Sequence, residues 1–78
     1  MTLAAATLSR ISNSRRACLE IEWAGGFCGA LIEIGRQYGG AFASEDVIRA
    51  QLLRNAQSRA AYEATTHGFV APIIVWES

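Results

Sequence analysis

Residues 16–35 read RACLEIEWAGGFCGALIEIG, and this stretch decides the fold. Ala17, Leu19, Ile21 and Trp23 alternate with Cys18, Glu20 and Glu22. A period of two is the pattern of a strand with one face buried. Beyond Ala24-Gly25-Gly26-Phe27 the alternation resumes, with Cys28, Ala30, Ile32 and Ile34 against Gly29, Leu31, Glu33 and Gly35. Gly25-Gly26 is the expected two-residue hairpin turn, because glycine enters positive φ without steric cost. That register sets Trp23 against Cys28, Ile21 against Ala30, Leu19 against Ile32 and Ala17 against Ile34, so one face is wholly apolar. The other face sets Glu22 against Gly29, Glu20 against Leu31 and Cys18 against Glu33. A one-residue slip would mix the two sets. Turn chemistry and hydrophobic pattern therefore agree.

Downstream, Gly39-Gly40 breaks the pattern and Ser44 is placed to cap a helix, with Glu45 and Asp46 in its first turn. Residues 45–65 are rich in Ala, Leu, Gln, Arg and Glu, all good helix formers, and Gly68 is a natural stop. Ile48, Leu52 and Ala56, continued by Leu53, Ala60 and Ala64, form its apolar arc; Val47, Ala50, Ala61 and Tyr62 lie on the other side. Glu45 with Arg49, and Arg59 with Glu63, stand four residues apart and are expected to pair on the surface. Phe69–Trp76 is β-branched and aromatic on both parities and reads as a strand, which Pro72 confines to a sheet edge. Upstream, residues 2–11 are read as a strand leading through Ser12-Asn13-Ser14 into the hairpin, since one helix needs more sheet to cover it. The expected fold is α+β: a small antiparallel sheet of three or four strands, order β-β-β-α-β, with one long helix packed on one face, in a single domain over 1–78.

Composition excludes several function classes. The chain has 78 residues, 51% hydrophobic and 18% charged, with formal net charge zero. That is too apolar for a disordered tail and too neutral for a polybasic nucleic-acid arm. All seven basic residues are Arg and fourteen residues are Ala, the bias of GC-rich coding, which suggests a GC-rich bacterium or its phage as the source. The start of the chain lacks a basic region ahead of an apolar one, so no signal peptide is expected; Arg10, Arg15 and Arg16 without acids have a transit-peptide flavour only. No apolar run approaches the ~18 residues of a membrane span. Cys18 and Cys28 fall on opposite sheet faces and are read as reduced, which fits a cytoplasmic location.

Catalytic groups are scarce. The single His, His67, and the single Asp, Asp46, sit at opposite ends of one expected helix, ~30 Å apart at 1.5 Å per residue. Cys–His chemistry would need Cys18 or Cys28 beside His67 and a lowered thiol pKa. Two Cys and one His fall short of a structural zinc set. No enzyme activity, cofactor or metal is therefore expected, unless two copies share a site.

The polar residues that do cluster lie on the hairpin's second face. Glu20 and Glu22 project the same way ~6.7 Å apart, and Glu33 joins them from the next strand. Half-exposed sheets carry polar residues outside as a matter of course. Carboxylates at this spacing also suit a basic partner. Trp76, in a strand apolar on both sides, is the other candidate contact, and an edge strand there could pair across a two-fold axis. The function expected is binding of another protein or nucleoprotein complex through Glu20, Glu22, Glu33 and Trp76. Size, composition and the exclusions above suggest a small phage or mobile-element inhibitor of a bacterial host complex, anti-CRISPR-like in general kind, with pairing into a homodimer open to it. The alternative is a small dimeric nucleic-acid-binding regulator using an edge of Arg10, Arg15, Arg16 and Arg36.

Overall fold

Among the described residues, four strands and one helix are present in the expected order: β1 (Ala4–Arg10), β2 (Arg16–Trp23), β3 (Gly26–Glu33), α1 (Glu45–His67) and β4 (Ile74–Trp76). This is a computed structural model, and it describes residues 2–35 and 43–77. The Gly39-Gly40 break and Arg36 lie outside the described residues. The strands form one sheet in the order β3-β2-β1-β4.

The hairpin keeps its expected faces but turns one residue early. Trp23 pairs with Gly26, Ile21 with Cys28, Leu19 with Ala30 and Ala17 with Ile32. The turn is therefore Ala24-Gly25, not Gly25-Gly26. Each partner moves by two residues, and a two-residue shift preserves parity, so every side chain stays on its expected face. The physical reason for this register is Trp23. Its indole lies over the turn, where a Cβ on Gly25 would come within 2.7 Å of the indole Nε1. Gly26 also sits under the ring and holds φ +155°, which other residues rarely adopt.

β1 pairs antiparallel with β2 from Ala4 opposite Trp23 to Arg10 opposite Ala17. The connecting turn is the Ser-Asn-Ser segment; Ser14 Oγ donates to the Ile11 carbonyl at 2.5 Å, and the Ile11 N–H donates to the Arg16 carbonyl at 2.9 Å. β4 departs from expectation. It pairs parallel to β1, Ala6 with Ile74 and Leu8 with Trp76, so the sheet is mixed rather than antiparallel. The reason lies in the connection. A long helix carries the chain back along the sheet before β4 begins, and such a crossover delivers a parallel strand. The expected strand 69–76 contracts to Ile74–Trp76, with Phe69 making a separate parallel bridge to Thr2. Pro72 falls in the unpaired stretch between them, where its missing N–H costs no ladder bond, and β4 is an edge strand.

The helix is capped as its sequence indicates. The Val47 N–H donates to Ser44 Oγ at 3.2 Å, and Gly68 ends the helix at φ 78°, its N–H donating to the Ala64 carbonyl. Ile48, Leu52, Ala56, Ala60 and Ala64 face inward and join Ala6, Leu8, Ala17, Leu19, Ile21, Ile32 and Phe69 in one core. The three alanines allow the helix backbone to approach the sheet closely. One expected surface pair is replaced. Glu45 bonds Arg10 of β1, and the Arg49 guanidinium lies 4.2 Å from the centre of the Trp76 ring instead. Arg59 does pair with Glu63, at 2.8 Å, but Glu63 is buried against the sheet rather than on the surface.

Candidate functional site

The helix covers one face of the sheet and leaves the other open. Strand alternation fixes what the open face shows, and the register orders it into rows. Phe27, Glu22 and Ala5 form one row across β3, β2 and β1. Gly29, Glu20, Thr7 and Val75 form the next, across all four strands. Leu31, Cys18 and Ser9 form a third, and Glu33 stands opposite Arg16 beyond it. Phe27, Leu31 and Val75 are 61%, 57% and 60% exposed, and Ile73, just before β4, is exposed as well. Large apolar side chains this open, set among carboxylates, are the usual marks of a contact surface.

Glu20 and Glu22 lie side by side on this face, as expected. Glu33 shares the face but stands two rows from Glu20, at the far end of β3 and opposite Arg16. Among the described residues, none of the three carboxylates takes part in an ion pair. Between the first two rows lies an open depression of about 180 Å³ lined by Ala5, Thr7, Glu20, Glu22 and Phe27. Its origin is local sequence: Ala5 and Gly29 are short where their neighbours Glu22, Glu20 and Phe27 are long. Phe27, Ala5 and Thr7 were not singled out from sequence. Phe27 falls beside Glu22 only once the turn moves to Ala24-Gly25, and the strand alternation of residues 4–10 is the signal that would have added the other two.

Trp76 is placed elsewhere. It shares the helix-facing side with Leu8, half-buried under Arg49, so the sheet separates it from Glu20 and Glu22.

The arginines expected to form one edge point to different places. Arg10 is only 11% exposed and is held by Glu45 and, through Nε at 2.7 Å, by the Ser14 carbonyl. Arg15 donates to the Gly35 carbonyl at 2.8 Å, and Arg16 is exposed on the open face opposite Glu33.

A second cluster is hidden from sequence, because the i,i+4 spacing of Arg59 and Glu63 places Glu63 on the surface. Its carboxylate accepts from Arg59 Nε at 2.8 Å and contacts His67 Nε2 at 3.1 Å. The His67 ring lies 5.0 Å from that of Trp23, which in turn lies 4.6 Å from Phe69. This cluster fastens the hairpin tip to the end of the helix. Cys28 sits within its field. Burial raises the Cys28 thiol above its ordinary value of 9.0, the Glu63 carboxylate adds to the rise, and the Arg59 guanidinium opposes it. A nucleophilic cysteine requires the opposite shift. Cys18 and Cys28 are free thiols on opposite faces.

Among the described residues, no group of three or more His, Cys, Asp or Glu is arranged to hold a metal ion, and no helix is long and apolar enough to cross a membrane. No protein-family model, curated protein or solved structure matches this chain.

Proposed function

We propose that this protein is a macromolecular binding protein that acts by protein–protein contact through the open sheet face, without catalysis. The observation that carries this reading is the composition of that face: exposed Phe27, Leu31 and Val75 set around Glu20 and Glu22. Apolar anchors supply most of the energy of such a contact, and charge selects the partner and speeds encounter. The partner is a protein or nucleoprotein complex with a basic surface. The biological setting we propose is a small phage or mobile-element inhibitor of a bacterial host complex, anti-CRISPR-like in kind. Size, the Arg-only basic set and the scarcity of catalytic side chains support that setting.

The test is affinity capture on the immobilised chain from nuclease-treated extract of a GC-rich bacterium. Wild type and Arg15→Ala/Arg16→Ala are expected to retain the same host protein, and Glu20→Arg/Glu22→Arg is expected to lose it. Retention by the Glu variant would overturn the reading, and capture from untreated extract that is lost both on nuclease treatment and in the Arg pair would overturn it in favour of nucleic acid.

A further inference from the structure

The depression on the open face is specific enough to name the group that enters it. Two carboxylates on adjacent positions of one strand face line it, an exposed aromatic ring stands at one side, and the floor is short, with Ala5 beneath. Among the described residues, the surrounding face carries Glu20, Glu22 and Glu33, with Glu77 bonded to Ser9 at its β4 side, against Arg16, so its complement is cationic.

Resting on the docking face proposed above, we propose that this depression seats one arginine side chain of the partner, its guanidinium between the Glu20 and Glu22 carboxylates and against the Phe27 ring. Arginine fits better than lysine on chemical grounds. Its planar fork can donate to two carboxylates at once, and its flat face stacks on an aromatic ring, whereas an ammonium is a compact and strongly hydrated point charge. Lost hydrogen bonds to charged groups are worth about 1.5–3 kcal/mol, so removing both carboxylate charges weakens seating by about tenfold or more. The exposed cation–π contact is smaller, about 0.5–1 kcal/mol, or roughly two- to fivefold.

The experiment uses the full chain, ¹⁵N-labelled, titrated with N-acetyl-arginine methylamide. The lysine and leucine analogues are run in parallel. Arginine is expected to shift the amides of Ala5, Thr7, Glu20, Glu22 and Phe27, with lysine weaker and leucine silent. Glu20→Gln/Glu22→Gln should reduce the affinity by about tenfold or more and Phe27→Leu by roughly two- to fivefold, each with well-dispersed spectra that report an intact fold. Equal response to lysine, unchanged affinity in the Gln pair, or shifts centred on Glu33 would overturn the site. So would a dimer mass by light scattering whose formation shifts the same amides without ligand, since a second copy would then be the occupant. The two proposals fail separately. If arginine seats but the Glu20→Arg/Glu22→Arg chain still captures the host protein, the docking face is wrong. If capture is lost but arginine never seats, the docking face stands and the arginine site falls.

Discussion

The two faces of one sheet are built from the same strands and differ in nearly everything else. Leu19 and Leu31 lie on adjacent strands, one residue out of register; Leu19 is fully buried beneath the helix, and Leu31 is more than half exposed. The helix-facing side is an apolar surface, aliphatic at its centre with Trp23 and Trp76 packed at its margins. The open side mixes aromatic, aliphatic and acidic groups that nothing in the chain's own packing requires. The difference teaches that side-chain alternation here separates two tasks. One parity holds the fold, and the other is left for a partner.

The sharpest way to break this comparison is to truncate the two leucines in turn. Leu19→Ala is expected to lower unfolding free energy by about 2–5 kcal/mol, since it empties a filled core site. Leu31→Ala is expected to stay within about 0.5 kcal/mol of wild type. Urea titrations of both variants check this, and similar losses would erase the distinction. The next largest effect belongs to the turn. Gly25→Ala drives a Cβ into the Trp23 indole, which is packed beside His67 and Phe69, and should cost about 1–3 kcal/mol. Tryptophan fluorescence during unfolding would report it, and a neutral result would show that the indole does not fix the register. Glu20→Arg/Glu22→Arg should shift stability by no more than about 0.5 kcal/mol by thermal melt, because among the described residues neither side chain has an ion-pair partner to lose.

The smallest effect is a dependence on pH. The folded chain holds the Cys28 thiol above its ordinary 9.0, so its contribution to stability is complete below that pH and is lost as pH rises through the folded value. Melting temperatures measured upward from pH 8.5 should fall more steeply for wild type than for Cys28→Ala. A Cys28→Ala slope equal to that of wild type would show that the thiol does not feel Glu63 and the core.

Much of the fold was legible because several local signals coincided. The alternation in 16–35, the Ser44 cap and the Gly68 stop each name an element and, for the helix, its ends. What stayed hidden depended on contacts between elements. Hydrophobic pattern alone cannot separate the two hairpin registers, since both leave every side chain on the same face. The choice is made by an indole packing over its own turn. The parallel pairing of β4 depends on the path of the helix, which periodicity does not report. Glu63 looked like a surface residue because an i,i+4 arginine was available. Its burial depends on His67 and the hairpin tip arriving from elsewhere. Of the candidate site, Glu20 and Glu22 were readable from strand parity, whereas Trp76 was assigned to a contact because both parities of its segment are apolar. Pairing with Leu8 turns it toward the helix.

The most direct test of the account compares two aromatic side chains of matched exposure on opposite layers. Phe27 on the open sheet face is 61% exposed, and Tyr62 on the helix is 64% exposed. Each is replaced in turn by the photo-crosslinker p-benzoyl-phenylalanine, and the chain is irradiated in bacterial extract. The account predicts a discrete host-protein adduct from position 27, competed away by excess wild-type chain but not by Glu20→Arg/Glu22→Arg, and none from position 62. An adduct from position 62 alone, or one from position 27 that the charge-reversed chain competes equally well, would contradict it.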